Sequence, residues 1–167
     1  MTALVRRESN GNPFAIGMDG TAPYVTQPKS MAEAVATAEG LIRKGKTFSV
    51  GLAQIHVSNI RLLGLPWTQA FDGCTSLRNG QKIFDGFYKK AIEAGFKGGD
   101  AVFAALRGYN SGSVFAAISN NYASAIIADA GGKIPAASHD ADANVKRIVS
   151  GMSEHDARSE STELFSK

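Results

Sequence analysis

Cysteine is nearly absent from this sequence, which holds one, Cys74, among 167 residues. A single cysteine excludes an intramolecular disulfide and leaves the redox compartment open. Long apolar runs are missing too: none approaches the roughly 20 residues that cross a bilayer, so we expect no membrane span. The first residues lack the hydrophobic region of a signal peptide. The alternatives are a cytoplasmic protein or a processed chain, and the nearness of Glu8 to Met1 favours a trimmed N-terminus.

A strong charge bias is also missing. Lys and Arg number 18 against 15 Asp and Glu, which gives a net charge of +3, and the basic residues form no cluster. The sequence therefore indicates no nucleic-acid-binding stripe, and we expect no nucleic acid as partner. The three histidines do not have the spacing of metal ligands, so we expect no metal.

Helical periodicity dominates the chain, so we predict a mainly α fold. A short helix over 2–9 is expected to end at the Ser-Asn-Gly-Asn-Pro cluster. Ser30 and Glu33 form a capping-box pattern before a second helix that ends at Gly45. Between these helices and the next, we predict a small β-hairpin that pairs 14–16 with 24–26, a turn that opens into a short helix from about Gln54, and irregular chain over 60–73. Three helices are expected to follow: the longest over 75–94, one that Asp100 caps, and a last one over 113–129. The last helix is expected to pack through Phe115, Ile118, Tyr122, Ile126 and Ile127.

The composition changes after residue 132. Residues 133–167 contain few large apolar side chains and one aromatic, Phe165. Such a segment does not bury enough apolar surface to order itself. We therefore predict a globular domain over 1–132 and a polar, flexible C-terminal tail over 133–167.

Three short stretches set polar side chains at places where predicted elements end. Glu8 closes the first helix, Gln54 lies among apolar residues, and Tyr109 and Asn110 lie between glycines. A carboxyl group that acts as a general acid near neutral pH must be desolvated. Side-chain amides suit the hydroxyl and acetamido groups of sugars. We expect the three stretches to meet, with Glu8 carrying out proton chemistry between them.

These stretches, Glu8-Ser9, residues 51–55 and residues 109–112, resemble the three-motif signature of the lysozyme-like lytic transglycosylases. Residues 12–17 and 77–80 are similar to the VirB1-type branch, the peptidoglycan-cleaving enzymes of type IV secretion systems. The resemblance covers about residues 4–128. It implies an α+β lysozyme-like fold, in which a helical bundle surrounds a substrate cleft with a small β-hairpin or irregular loop near 13–28. It also implies a periplasmic location.

The resemblance implies that Glu8 is the sole catalytic acid/base and that no cofactor is needed. It also implies binding or supporting roles for six other residues: Ser9, Ser49, Gln54, Ile55, Tyr109 and Asn110. Two positions depart from the family pattern. Ala53 replaces a common Met and is expected to reshape a subsite, and Gly108 is expected to add backbone freedom.

The implied reaction cleaves the β-1,4 bond between N-acetylmuramic acid and N-acetylglucosamine in peptidoglycan glycan strands and leaves a 1,6-anhydro product. It would open the wall locally for a type IV secretion or conjugation apparatus, whose components the 133–167 tail would bind. One alternative is a hydrolytic lysozyme, which would more often need a second carboxylate, with Asp19, Asp72 and Asp85 as candidates. The other is a mainly structural assembly factor.

Three further residues have an open assignment at this stage. Trp67, alone after Pro66, is either a sugar platform or a lid anchor. His56 is a candidate for the cleft wall because it follows Gln54 and Ile55. We expect Cys74 to be a small buried or half-buried residue.

Overall fold

The structure is a computed structural model that describes residues 1–20 and 24–135. Within these residues the chain forms seven α-helices, one 3₁₀ helix and a three-stranded antiparallel sheet, which confirms the predicted mainly α fold. No helix in this part of the chain has the length and apolar character to cross a bilayer. The described residues divide into two compact units, one over Met1–Gln81 and one that begins at Lys82. The predicted tail lies almost wholly outside the described residues, so the boundary at 132 stays a prediction.

The first two helices of the first unit form as predicted. Helix α1 (Thr2–Ser9) ends where Asn10 adopts a left-handed conformation with φ 51°, which asparagine tolerates better than most residues. Helix α2 (Met31–Arg43) begins at Ser30, whose hydroxyl accepts the Glu33 N–H at 3.3 Å. The Glu33 carboxylate accepts the N–H of the residue before the cap, at 2.9 Å. The predicted capping box is thus confirmed with a shift of one residue.

The sheet consists of β1 (Ile16–Met18), β2 (Phe48–Val50) and β3 (Ile55–His56), in that order. The predicted pairing of 14–16 with 24–26 is wrong, because 24–26 form no strand and β1 pairs with β2 instead. The Gln27 side chain occupies the free edge of β1. Its amide accepts the Ile16 N–H and donates to the Ile16 carbonyl, each at 2.9 Å, so a side chain replaces the missing strand.

The segment after β2 also differs from the prediction. The chain returns as β3 before any helix begins, and His56 then caps the N-terminus of helix α3 (Val57–Leu62) by accepting the Ser58 N–H at 3.2 Å. The stretch 60–73, expected to be irregular, includes a short helix. The remaining helices of this unit are α3 (Val57–Leu62), α4 (Trp67–Ala70) and the first part of α5 (Gly73–Glu93).

The second unit contains the end of α5, then α6 (Gly98–Ser111), a 3₁₀ helix (Ala117–Ser119) and α7 (Asn120–Asp129). Lys97 rather than Asp100 is the N-cap residue of α6, and Asp100 lies in its first turn. The last helix begins at residue 120, later than predicted. Ile118 was expected to pack inward, but it lies in the 3₁₀ helix and is 90% exposed.

Gly108 lets α6 approach the aromatic ring of Phe87 on α5. A Cβ atom at position 108 would overlap the Phe87 ring, with 2.6 Å to its Cγ atom. Both residues are buried. The glycine was expected to add backbone freedom before Tyr109; the structure gives it a packing role instead.

We predict that Gly108→Ala destabilises the protein although alanine favours helices. Overpacking against Phe87 should cost about 1–3 kcal/mol, measured as a lower free energy of unfolding in urea. Gly99→Ala on the same helix is the matched control, because its Cβ would meet only ordinary contact at 3.7 Å. Phe87→Leu should restore part of the loss in the Gly108→Ala background. Equal stability of the two alanine variants would contradict the packing role.

Asp72 begins helix α5 by accepting the Thr75 N–H at 2.8 Å. Hydrogen bonds from the Thr75 backbone and hydroxyl hold the pKa of Asp72 below its ordinary value. Because the folded pKa is the lower one, Asp72 stabilises the fold above an unfolded pKa of about 3.9. That contribution disappears as the pH falls through the folded value.

We therefore predict that the melting temperatures of the wild type and Asp72→Asn differ most near neutral pH. The difference should begin to shrink as the pH falls below about 4 and disappear below the lowered folded pKa, where both proteins carry a neutral capping side chain. Thermal melts from pH 7 to strongly acidic conditions measure this. A difference that stayed constant with pH would contradict the assigned role of the Asp72 charge.

Candidate active site

Glu8 lies one residue before the end of α1 and is half-buried. The next residue, Ser9, fixes this helix end. Its hydroxyl lies 2.9 Å from the Leu52 carbonyl and 3.1 Å from the Val5 carbonyl, one turn back in the helix. The single hydroxyl hydrogen serves one carbonyl or is shared between them. The helix end that carries Glu8 is thereby tied to the turn between β2 and β3.

That turn, residues 51–54, is buried and tightly constrained. Gly51 has φ +79°, and a Cβ there would lie 2.8 Å from the Ser76 hydroxyl and 2.9 Å from the Ala70 carbonyl. The Ser76 hydroxyl also accepts the Ala53 N–H at 3.1 Å. Position 51 therefore requires glycine both for its backbone conformation and for its close packing.

Gln54 ends this turn with a left-handed φ of 46°, which is uncommon outside glycine. Its side-chain amide donates to the Ala15 carbonyl at 3.1 Å and to the Gly51 carbonyl at 3.0 Å. The amide oxygen lies over Gly17, 2.5 Å from where a Cβ would be. Gln54 is 7% exposed, so the amide joins the turn to the start of β1.

One face of the sheet is apolar and the other is polar. Gly17, Ser49 and His56 lie opposite one another across the three strands, so their side-chain positions share a face. Asp19 follows Gly17 by two residues and continues the ladder through its N–H to the Thr47 carbonyl, at 3.3 Å. We call Ser49, His56 and Asp19 the polar face. The other face carries Ile16, Phe48, Val50 and Ile55, all at most 3% exposed.

The polar face contains a continuous chain of hydrogen bonds. His56 Nε2 lies 2.9 Å from Asp19 Oδ2, and His56 Nδ1 lies 2.7 Å from the Ser58 hydroxyl. From the sequence, His56 was only a candidate for the cleft wall and Asp19 only a candidate second carboxylate, and Ser58 was not identified. If residues 55 and 56 had been recognised as a strand beside Ser49, the alternation of side chains would have placed His56 on the same face as Ser49. Nothing local indicated a contact between residues 37 positions apart.

The remaining predicted residues belong to α6 in the second unit. Tyr109 is 1% exposed, whereas Asn110 is exposed and donates from its amide to the Ser119 hydroxyl at 2.9 Å. Helix α6 ends at Gly112, which has φ 82°. The buried ring of Tyr109 suits a supporting role better than direct stacking on a sugar. The exposed Asn110 leaves its amide oxygen available for a ligand.

Two predicted positions lie in the protein interior. Ile55 is on the apolar face of the sheet and is 1% exposed. Ala53 is fully buried, so a longer side chain would need interior space rather than subsite space. Cys74, by contrast, is exposed at the start of α5, so the expectation of burial is wrong.

Trp67 stacks on Phe48 of the apolar face, with ring centroids 5.9 Å apart. It also lines an open groove of about 410 Å³ in the first unit. Because Phe48 is on the opposite face from Ser49, this groove lies on the other side of the sheet from the polar face. Trp67, the candidate sugar platform, is the one residue of the sequence analysis with a possible binding role that lines this groove. The full lining is Glu39, Ile42, Arg43, Ile60, Arg61, Gly64, Leu65 and Trp67.

Comparison with known proteins gives one family and a small group of relatives. The profile of the family described as transglycosylase SLT domain matches residues 1–129. The type IV secretion system proteins VirB1 of Brucella abortus, Brucella melitensis and Brucella suis are each 45% identical to the chain over 92 residues. That stretch covers 55% of this chain but 38% of each relative, so the chain spans well under half the length of the curated relatives it matches. No solved structure matches it.

We predict that Ser9→Ala loosens the end of α1. Loss of the hydrogen bond to the Leu52 carbonyl should lower the free energy of unfolding by about 1 kcal/mol. Hydrogen exchange at residues 6–10 should accelerate more than at α2. Ser9→Cys is the informative comparison, since it keeps a weak donor of similar shape and should lose less. Unchanged exchange in Ser9→Ala would contradict this role of the serine.

Proposed function

Because the chain belongs to the transglycosylase SLT domain family, we propose that it is a peptidoglycan lytic transglycosylase with Glu8 as its catalytic acid and base. The observation that carries this proposal is the placement of Glu8 at a helix end that Ser9 ties to the turn bearing Gln54. A half-buried carboxyl group on a helix end that is anchored to a buried turn suits proton transfer, because the backbone that carries it is held in place before the substrate binds.

The proposed reaction needs one carboxyl group. Protonated Glu8 gives its proton to the oxygen of the β-1,4 bond between N-acetylmuramic acid and N-acetylglucosamine, and that bond breaks. The acetamido group of the substrate stabilises the positive charge that develops at C1, as in other substrate-assisted glycosidases. Glu8, now a carboxylate, takes the proton of the muramyl 6-hydroxyl, and that oxygen bonds to C1. The product is a 1,6-anhydro sugar, and Glu8 is again protonated.

The other residues of the site act on Glu8 or on the glycan. Ser9 and Gln54 hold the helix end and the turn in place, since both use their polar atoms on backbone carbonyls. Ser49 is half-buried on the polar face, which suits a contact with a sugar hydroxyl. Asn110 is exposed and suits recognition of an acetamido group. Tyr109 and Ile55 are buried and suit support.

The relatives named type IV secretion system protein VirB1 suggest the setting of this activity. We propose that the enzyme acts in the periplasm, where peptidoglycan lies, and opens the wall locally for a secretion or conjugation apparatus. Residues 133–167 are the proposed contact with components of that apparatus.

A hydrolytic lysozyme on the same fold is the alternative reaction. It would more often use a second carboxylate at roughly 5–10 Å from the first. Two candidates already have other partners: Asp72 accepts the Thr75 N–H at the start of α5, and Asp19 is bonded to His56. A mainly structural assembly factor would need no Glu8 at all.

We predict that Glu8→Gln loses activity on purified sacculi by a factor of at least about 10²–10⁴, the usual contribution of a general acid. Glutamine keeps the shape of the side chain but donates no such proton. Glu39→Gln, an exposed residue of α2, is the matched control and should retain wild-type activity. Matching melting temperatures would show that both variants fold.

Mass spectrometry of the digest identifies the reaction. Anhydro-muramic ends are expected, and ends that carry an added water would indicate the lysozyme reaction. Undiminished digestion by Glu8→Gln would remove Glu8 from its assigned role. Full complementation of conjugation or secretion by Glu8→Ala would favour the assembly factor.

A further inference from the structure

We propose that Asp19, held by His56, is a saccharide-binding residue that receives glycan at the end of the sheet remote from Glu8. The inference rests on the proposed function, because it assigns a further part of the glycan site. Its ligand class is a sugar that donates hydrogen bonds from hydroxyl or acetamido N–H groups to a fixed carboxylate.

The contacts of His56 define its tautomer. A backbone N–H can only donate, so His56 Nδ1 must accept the Ser58 N–H that lies 3.2 Å away. The hydrogen of the neutral ring is therefore on Nε2, which donates to Asp19 Oδ2 at 2.9 Å. The Ser58 hydroxyl, 2.7 Å from Nδ1, reinforces this arrangement. The two contacts at Nδ1 orient the ring, and the ring in turn orients the carboxylate.

In this chain of hydrogen bonds, His56 is the buried residue that supports, and Asp19 is the more exposed residue that can contact a ligand. The His56 side chain is 9% exposed, whereas that of Asp19 is 40% exposed. Among the described residues, Asp19 Oδ2 bonds to His56 and Oδ1 has no hydrogen-bond partner. A carboxylate fixed through one oxygen and open at the other accepts hydrogen bonds with little loss of side-chain entropy.

The position along β1 indicates which part of a glycan this carboxylate would meet. Ala15, at the start of the strand, contacts the turn that Ser9 ties to the Glu8 helix. Asp19 is four residues further, which corresponds to about 13 Å in an extended strand. That distance exceeds the length of one sugar ring. The proposal accordingly assigns Asp19 to a saccharide away from the bond that breaks, where it would affect binding more than bond cleavage.

Two structural tasks near the carboxylate are met without its side chain. His56 caps α3 through Nδ1, and that cap needs no contact at Nε2. The sheet pairs through its backbone in this region, with the Asp19 N–H bonded to the Thr47 carbonyl. Asp19 therefore contributes a charge to the polar face that neither the cap nor the strand pairing requires.

Binding can be measured without cleavage in the Glu8→Gln background, with a peptidoglycan octasaccharide free of cross-links as the probe. Addition of the probe should shift the ring ¹⁵N resonances of His56. Asp19→Ala should weaken binding of the probe about tenfold, the loss expected for one charge-assisted hydrogen bond. With Glu8 present, Asp19→Ala should raise KM by a similar factor and leave kcat nearly unchanged. Glu39→Ala, another exposed carboxylate, is the control and should change neither.

His56→Asn separates positioning from capping. Asparagine is a good N-cap, so α3 and the melting temperature should be preserved, but its shorter side chain does not reach Asp19. Affinity for the octasaccharide should fall nearly as far as in Asp19→Ala. Native affinity in His56→Asn or in Asp19→Ala would overturn the proposal, as would a fall in kcat and melting temperature with KM unchanged. Digestion of sacculi by the wild type tests the transglycosylase activity separately, so either idea can fail alone.

Discussion

The buried turn at residues 51–54 is the constraint on which the candidate site depends. Its carbonyls receive the Ser9 hydroxyl and the Gln54 amide, and its Ala53 N–H is bonded to the Ser76 hydroxyl. The helix that carries Glu8, the first strand and the start of α5 therefore all meet one short piece of backbone. Two left-handed residues, Gly51 and Gln54, give that piece its shape. The non-glycine among them is held there by its own side-chain bonds.

The small sheet extends this constraint by separating two chemical environments. Side chains alternate along a strand, so three residues of β2 put Phe48 and Val50 in the interior and Ser49 on the polar face. Trp67 stacks against the apolar side, while His56 and Asp19 pair on the other. The groove that Trp67 lines and the polar face consequently lie on opposite sides of a sheet whose strands are at most three residues long.

Local signals in the sequence were sufficient to predict the helix ends that capping or turn residues mark. The end of α1 at Asn10 and the cap at Ser30 follow from side-chain chemistry within a few residues. Strand β2 was missed because three residues are too few to show a period. The hairpin prediction was wrong because the Gln27 side chain, rather than a second strand, forms hydrogen bonds with the backbone at the edge of β1. Sequence rules for strands do not anticipate such a side chain.

The residues of the candidate site were proposed from the sequence, whereas their geometry could not be predicted from it. The motif residues around Glu8, Gln54 and Tyr109 were identified from residue type and resemblance. That Gln54 and Ser9 use their polar atoms on the backbone, and that Gly108 makes room for Phe87, depends on packing between distant segments. The pairing of Asp19 with His56 has the same origin. Contacts between residues that are far apart in the sequence produce no periodic pattern from which they could be predicted.

The central claim is that one carboxyl group, Glu8, breaks the glycosidic bond and closes the sugar on itself without water. Digestion of sacculi in water enriched in heavy oxygen tests this most directly, by mass analysis of the new muramic ends. The account predicts ends that contain no heavy oxygen, because the attacking atom is the sugar's own 6-hydroxyl oxygen. Heavy oxygen at C1 of those ends would contradict it, since water would then have been the nucleophile.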